Sequence, residues 1–221
     1  MDIPARRLQA GQVKLLRLTP LIQAGAFPTS KAWSRVEHDV RSAIAAVRWP
    51  PDGPDFTIYP QSGKKRAEGN GVKPIKDGFV TKLTDLGWKM QQVKAKDEDP
   101  TTLRPGSFDA WLDLTELGYF KPFVIEWETG NISSSHRAMN KMALGVTAGW
   151  LSGGILVLSS RSLAQYLTDR IGNYRELEPY FPLWRAVRAD NAFLGVIEVE
   201  HDGTSMKVPR INKGTDGRAL I

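Results

Sequence analysis

The sequence predicts an α/β fold, a central mixed β-sheet flanked by helices, and three observations carry that reading. Two alternating runs, "FDAWLDL" and "FVIEWE", form a hairpin pattern in the middle of the chain. After them, strand-like runs alternate with helix-like ones, the order expected of a mixed sheet with packed helices. A hydrophobic fraction of 41% and seven tryptophans in 221 residues are enough for a substantial core. The expected organisation is a single domain over 1–221, with 1–28 as an N-terminal arm and 210–221 as a C-terminal arm.

The elements follow in order. In "PTSKAWSRVEHDVRSAIAAVRWP", Trp33, Val36, Val40, Ile44 and Val47 recur at spacings of three or four, which predicts an amphipathic helix. His38 lies off that stripe and reads as solvated. "FTI" is a short strand before a glycine- and lysine-rich loop, and Pro74 then opens a helix through Ile75, Phe79, Leu83 and Leu86. Residues 93–107, charged and broken by proline, read as a mobile surface loop. The hairpin is expected to turn near Leu117-Gly118. A helix from about Ser134 to Thr147 follows, then the strand "GGILVLSS", a helix through "SLAQYLTDRI", the segment "YRELEPYFPLW" and the strand "FLGVIEVE". The ending "VPRINKGTDGRALI" is too polar and glycine-rich for core.

Composition narrows the chemistry. With no cysteine, disulfides and thiolate zinc sites are excluded, and His38, His136 and His201 are widely scattered. A catalytic metal would be held mainly by oxygen, which favours a hard cation such as magnesium. The net charge of +6 and a pI near 9.5 are compatible with nucleic acid or an acidic membrane and select neither. No apolar run is long enough to span a bilayer or form a signal core, so the expected location is cytoplasmic.

The acids of the hairpin are the first candidate site. If the turn lies at Leu117-Gly118, Asp109 falls opposite Glu126. Asp109, Trp111 and Asp113 then share one face, and Phe108, Ala110, Leu112 and Leu114 the other, while Glu126 and Glu128 share a face of the second strand. Opposed residues lie about 5 Å apart, so Asp109, Glu126 and Glu128 are expected to converge. Three close carboxylates repel one another unless a cation compensates. A metal on Asp109 and Glu126 could neutralise charge at a phosphate, with Glu128 activating water or completing a second metal site. The residues alone leave two alternatives open: a plain solvent face of a hairpin, or a glycosidase carboxylate pair. For the latter the chain shows no clustered aromatic platform for sugar.

Directly after the acids, Gly130-Asn131 ends the strand and the serines offer a helix N-cap. Met139, Met142, Ala143 and Val146 form the expected buried stripe, with Arg137, Asn140 and Lys141 on another face. A helix start attracts phosphate, and Asn131, Ser133 and Arg137 can read base edges or hold the backbone. The plainer alternative is that Ser is only a cap and Arg only solvated.

The segment "VIEWETGNISSSHRAMNKM" resembles the active-site segment of the BamHI-like type II restriction endonucleases, a branch of the PD-(D/E)xK nuclease superfamily. "FTI" before "NGVKPIK", Asp109 upstream of the E-x-E, "LAQYLTDRIGNYRELEPYF" and the late "KGTDG" extend the resemblance over about residues 33 to 217. It implies the restriction-endonuclease-like fold and a Mg2+-dependent homodimer that hydrolyses phosphodiester bonds in double-stranded DNA, with no membrane and no nucleotide cofactor. Each subunit would cut one strand of a palindrome, GGATCC by the match of base-facing residues, leaving 5′-phosphate and 3′-hydroxyl ends. Asp109 and Glu126 would be metal ligands, and Glu128 a general base where most of the superfamily has lysine. Asn131, Ser133, Arg137, Asp169 and Arg170 would face the major groove, the last two suited to a G·C pair. Lys76 would contact DNA, and Gly214 and Asp216 of the C-terminal arm would reach the minor groove.

One position departs from the pattern. The family's further metal-binding glutamate falls, by alignment on Trp88, on Gln91, which offers a carbonyl oxygen without charge. The alternatives are another PD-(D/E)xK nuclease, of repair or recombination, and a sequence-specific DNA-binding protein that has lost cleavage.

Overall fold

The computed structural model describes residues 14–65, 68–90, 106–168 and 171–213. In chain order the elements are β1 (Lys14–Ala24), α1 (Lys31–Ala45), β2 (Thr57–Ile58), α2 (Lys73–Asp85), β3 (Lys89–Met90), β4 (Ala110–Leu112), β5 (Phe123–Trp127), α3 (Ile132–Thr147), β6 (Gly153–Ser159), α4 (Arg161–Ala164), α5 (Tyr174–Leu177), α6 (Phe181–Arg185), β7 (Ala192–Glu200) and β8 (Gly203–Thr204). Short 3-10 turns lie at Phe27–Thr29, Thr115–Leu117 and Glu178–Tyr180.

Six strands form one mixed sheet in the order β1-β7-β6-β5-β4-β3, and β2 pairs with β8 in a small separate ribbon. The central β5, β6 and β7 run parallel, and the outer strands are antiparallel. Parallel strands covered on both faces should be apolar throughout, and every residue of β5 and β6 is buried. Val36, Val40 and Ile44 of α1 and Phe79 and Leu83 of α2 pack on one face, against Phe123, Ile125, Trp127, Ile155 and Val157. Met139, Met142 and Val146 of α3, with Leu177, Phe181 and Trp184, pack on the other, against Val124, Leu156, Leu158, Leu194 and Val196. Alternation along β5 therefore turns Glu126, two residues after Val124, towards α3.

The expected mixed sheet flanked by helices is what the chain forms. Ser30 caps α1 by accepting the Trp33 amide at 3.1 Å, the predicted stripe is buried, and His38 is exposed. Pro74 lies in the first turn of α2, which closes at Gly87 with φ +89°. The hairpin turns through Thr115–Leu117 to Gly118, at φ +83°. Its register pairs Ala110 with Ile125 and Leu112 with Phe123, and Asp109, one residue before the paired stretch, lies beside Glu126 as expected, its carboxylate accepting the Trp127 amide.

Four details differ. Of the 1–28 stretch expected as an arm, Lys14–Ala24 is β1, an edge strand along β7, so those residues belong to the sheet. Phe108 does not share the face of Ala110 and Leu112. It packs with Val124 and lies 6.3 Å from Trp150, because β4 begins only at Ala110 and the alternation stops there. Of the helix expected through "SLAQYLTDRI", the described residues up to Thr168 form a single turn, α4. The Gln165 and Tyr166 carbonyls instead accept the amides of Gly63 (2.9 Å) and Asn70 (2.8 Å), so the loop before α2 outcompetes further helix. Finally, α3 starts at Ile132, two residues early, with Asn131 rather than a serine as its cap. Most of the 93–107 loop lies outside the described residues, as does the C-terminal arm beyond residue 213.

Candidate active site

Two acids and two lysines meet where β4 begins and β5 ends. Asp109 sits just before β4. Its Oδ2 accepts the Trp127 amide at 2.9 Å, and its Oδ1 lies 2.7 Å from Lys76 Nζ, which α2 delivers. Glu126 is almost wholly buried on β5, and the ammonium of Lys141, from α3, binds its Oε1. The same ammonium donates to the Ser107 carbonyl at 2.6 Å and lies 4.6 Å from the centre of the Phe108 ring. Each acid is thus neutralised by a lysine from a different helix.

The electrostatics follow from this packing. Burial is the main force that holds the Glu126 carboxyl up at about 7, the Asp109 charge adds to it, and Lys141 and Lys76 pull it back. A carboxylate pair under that strain is short of positive charge, which a hard divalent cation would supply, and oxygen donors suit such an ion. The donor set therefore fits a metal at Asp109 and Glu126, and for Asp109 Oδ1 to bind one Lys76 must withdraw.

The other predicted residues fall in distinct places. Glu128 lies just past β5, and its Oε1 accepts the Gly130 amide at 2.6 Å, within its own turn. Among the described residues, no group of three or more His, Cys, Asp or Glu side chains gathers in a metal-holding arrangement. The expected convergence of Asp109, Glu126 and Glu128 is therefore corrected: the strand ends at Trp127, and the turn takes the Glu128 carboxylate. Asp113 is half exposed and turned away. Hydrogen bonds from the Thr115 hydroxyl and amide hold its carboxyl below the usual range, with Lys89 nearby.

Asn131 caps α3, its Oδ1 accepting the Ser134 amide at 3.1 Å, and Ser133 and Arg137 are exposed on the first turns. An open groove of about 550 Å³ runs beside them, lined by Ser133, His136, Arg137, Asn140, Lys141 and Leu144. Lys141 forms part of its lining but is only 7% exposed. The sequence placed Lys141 with Arg137 and Asn140 on a polar face, and the structure overturns that. The signal was in the helical spacing: position 141 is three after Ala138 and four before Gly145, both buried. The Lys76–Asp109 pair carried no such signal.

Gln91, Asp169, Arg170, Gly214 and Asp216 lie outside the described residues. The flanks of the Asp169-Arg170 segment are placed. Gly172 donates to the Gly130 carbonyl at 2.9 Å, and a side chain there would meet the Ile132 backbone at 2.9 Å, so glycine lets this strip lie against the start of α3. On the other flank, buried Asn70, also unanticipated, donates from Nδ2 to the Tyr59 and Tyr166 carbonyls (2.9 and 2.8 Å) and accepts the Ile211 amide (3.1 Å). It joins three distant segments.

Comparison with known proteins agrees with this geometry. The family model described as "Restriction endonuclease BamHI" matches residues 13–218. The type II restriction enzyme OkrAI of Oceanobacter kriegii is 43% identical over 209 residues, covering 94% of this chain and all of that protein. The type II restriction enzyme BamHI of Bacillus amyloliquefaciens is 35% identical over 184 residues, 81% of this chain and 80% of that one. Among solved structures, the restriction endonuclease BglII complexed with a DNA 16-mer superposes with a TM-score of 0.53 at 8% identity, over 84% of this chain and 78% of that one, a likeness of fold. A match over nearly the whole chain, with both acids of the site inside it, makes this protein a member of the BamHI family of type II restriction endonucleases.

Proposed function

We propose that this restriction endonuclease acts as a homodimer in the cytoplasm, cutting both strands of a palindromic duplex, GGATCC, with Mg2+ as its metal. The observation that carries the reading is the Asp109–Glu126 pair beside the exposed start of α3. The family implies a divalent cation, and the likeness to BglII, which was solved as a complex with a DNA 16-mer, supports duplex DNA as the ligand here. No helix among the described residues is long and apolar enough to cross a membrane.

Asp109 and Glu126 would hold the cation, and Gln91, by its place in the sequence, would offer a third, uncharged carbonyl ligand. A bound divalent ion offsets the charge that builds on the scissile phosphate. Glu128, oriented by the Gly130 amide, accepts the proton of the attacking water. The new P–O bond forms as the bond to the 3′ oxygen breaks, and that oxygen takes a proton from solvent water, leaving a 5′-phosphate and a 3′-hydroxyl.

Asn131, Ser133 and Arg137 read the major groove together with Asp169 and Arg170. The packing of Gly172 on Ile132, next to both segments, supports their acting in one groove. Lys76 contacts the DNA, and Gly214 and Asp216 reach the minor groove. The second copy is supported by Leu144, Tyr180 and Leu183, 49%, 44% and 67% exposed on the α3–α6 side. There Trp184 Nε1 donates to Asn140 at 3.0 Å and His136 lies 4.4 Å from Tyr180. Large exposed apolar side chains in one area mark an interface.

The test is digestion of a plasmid carrying one GGATCC with purified protein and Mg2+. A single linear product cut within that site is the expected result. Cutting at another site rejects the sequence assignment. Smearing or branch-selective cutting, or tight binding without a cut in Mg2+ or Mn2+, rejects site-specific cleavage.

A further inference from the structure

Lys141 is a charged side chain of α3 that the functional reading leaves without a task. Its side chain is only 8% exposed, and lysine is almost never buried unless paired. Its ammonium has two anchors, Glu126 Oε1 on β5 and the Ser107 carbonyl two residues before Asp109. The Phe108 ring closes over it at 4.6 Å and limits access of water. The cation therefore joins, from the α3 side, the two segments that carry the acids, which approach from different strands.

Stability alone is a poor reason for such a group. A buried ion pair is often matched or exceeded by apolar residues of equal volume. The neighbours of Lys141 along the buried side of α3, Met139, Met142 and Val146, show that apolar chains fit there. Geometry is the better reason. Glu126 has several single bonds to rotate about, and a charged hydrogen bond from a fixed ammonium to Oε1 selects one orientation, leaving its second oxygen outside that bond, with the Asp109 charge close by. Metal sites need this kind of outer support, since ligands not held by a neighbour lose affinity for the ion.

We propose that Lys141 is a positioning residue for DNA cleavage: by binding Glu126 and the Ser107 carbonyl at once, it fixes the β5 carboxylate relative to the segment bearing Asp109. The inference rests on the assignment of Asp109 and Glu126 as metal ligands. It acts through Glu126 and touches neither DNA nor the reacting atoms.

The test compares the full-length chain with K141M, K141R and E126A. Three quantities are read: single-turnover cleavage of a duplex the native protein cuts, the Mg2+ concentration giving half-maximal rate, and affinity for that duplex without metal. Expected for K141M are a rate lowered about 100-fold and a half-saturating Mg2+ raised about tenfold, in line with loss of an outer partner of a metal site. Its metal-free affinity stays within about threefold of native, because the DNA-facing residues are untouched. K141R, which keeps the cation in a different shape, recovers part of both losses. Native rate and native Mg2+ dependence in K141M overturn the proposal, as does loss of metal-free DNA affinity in step with cleavage. If E126A also cuts normally, the assignment of the site itself falls; if E126A is inactive while K141M is native, only the role of Lys141 falls. Should K141M not fold, the native chain decides. The Lys141 ammonium nitrogen resonance, assigned by its absence in K141R, is expected to shift on Mg2+ addition with the midpoint of cleavage, and no shift overturns the proposal.

Discussion

Lys76 Nζ stands 2.7 Å from Asp109 Oδ1, and the opposite oxygen of that carboxylate accepts the Trp127 amide. Both oxygens of Asp109 are therefore engaged before any cation binds, one by backbone and one by a side chain a third exposed. The exposed partner is the one that can leave. For K76M, Mg2+ alone is expected to raise the unfolding temperature more than it does in the native chain, since the competing ammonium is gone. DNA binding should weaken and its salt slope fall by about 1, as for a lost phosphate contact. Thermal unfolding with and without Mg2+, and binding across a salt series, check both. Unchanged affinity and slope would remove Lys76 from the DNA surface.

Replacing Asp109 by asparagine keeps the shape and the Trp127 contact but removes the charge. Cleavage is expected to fall by about 1,000-fold or more, while metal-free affinity for the duplex is retained. Gel shift and cleavage on the same oligonucleotide separate the two effects. For E128Q the expected loss is about 100-fold to 10,000-fold, the usual scale for a general base. Full activity in E128K would show that Glu128 is not an essential base.

The Glu126 carboxyl, raised by burial to about 7, makes stability depend on pH. Between its ordinary value and about 7, the metal-free folded chain holds a proton that the unfolded chain has lost. The folded state is therefore favoured at the acid end of this window, and the contribution of this group declines as pH rises through it. E126Q, neutral at every pH, should flatten that slope in urea melts from pH 5 to 8. Mg2+ must displace the proton, so its half-saturating concentration should fall as pH rises towards and past 7. A native pH slope in E126Q contradicts the assignment.

Asn70 is fully buried, and its side chain makes three hydrogen bonds to three separate segments. N70A leaves the Ile211 amide without its partner and takes one of two hydrogen bonds from each of the Tyr59 and Tyr166 carbonyls, and should cost about 1–3 kcal/mol in a denaturant melt. Because Tyr166 lies shortly before the Asp169-Arg170 pair and Ile211 shortly before Gly214 and Asp216, discrimination between GGATCC and sites with one changed base should also narrow. Unchanged discrimination in a folded N70A would restrict the residue to stability.

On the first turns of α3, Asn131 combines a cap role with its proposed contact to DNA, whereas Arg137 has only the latter. N131A is expected to cost about 1 kcal/mol through the lost bond to the Ser134 amide. R137A, exposed and without a cap role, should leave the unfolding temperature unchanged and weaken specific binding by about 10-fold to 100-fold. Melting curves and competition binding distinguish the two.

Local pattern determined much of this protein. The spacing of Trp33, Val36, Val40 and Ile44 carries α1, Pro74 and Gly87 bracket α2, and alternation with a glycine turn sets the register that opposes Asp109 to Glu126. These are properties of neighbouring residues, so they can be read without the fold. Family membership is legible for the same reason, since the motif from Glu126 to Lys141 is one continuous segment. Tertiary structure decided what depends on distant partners. Edge pairing with β7 makes residues 14–24 a strand, and the loop that takes the Gln165 and Tyr166 carbonyls limits α4 to one turn. Packing of α3 on β5 buries Lys141 on Glu126, while α2 brings Lys76 to Asp109. The energy of a buried charge is set by what surrounds it in space, and sequence separation does not encode that.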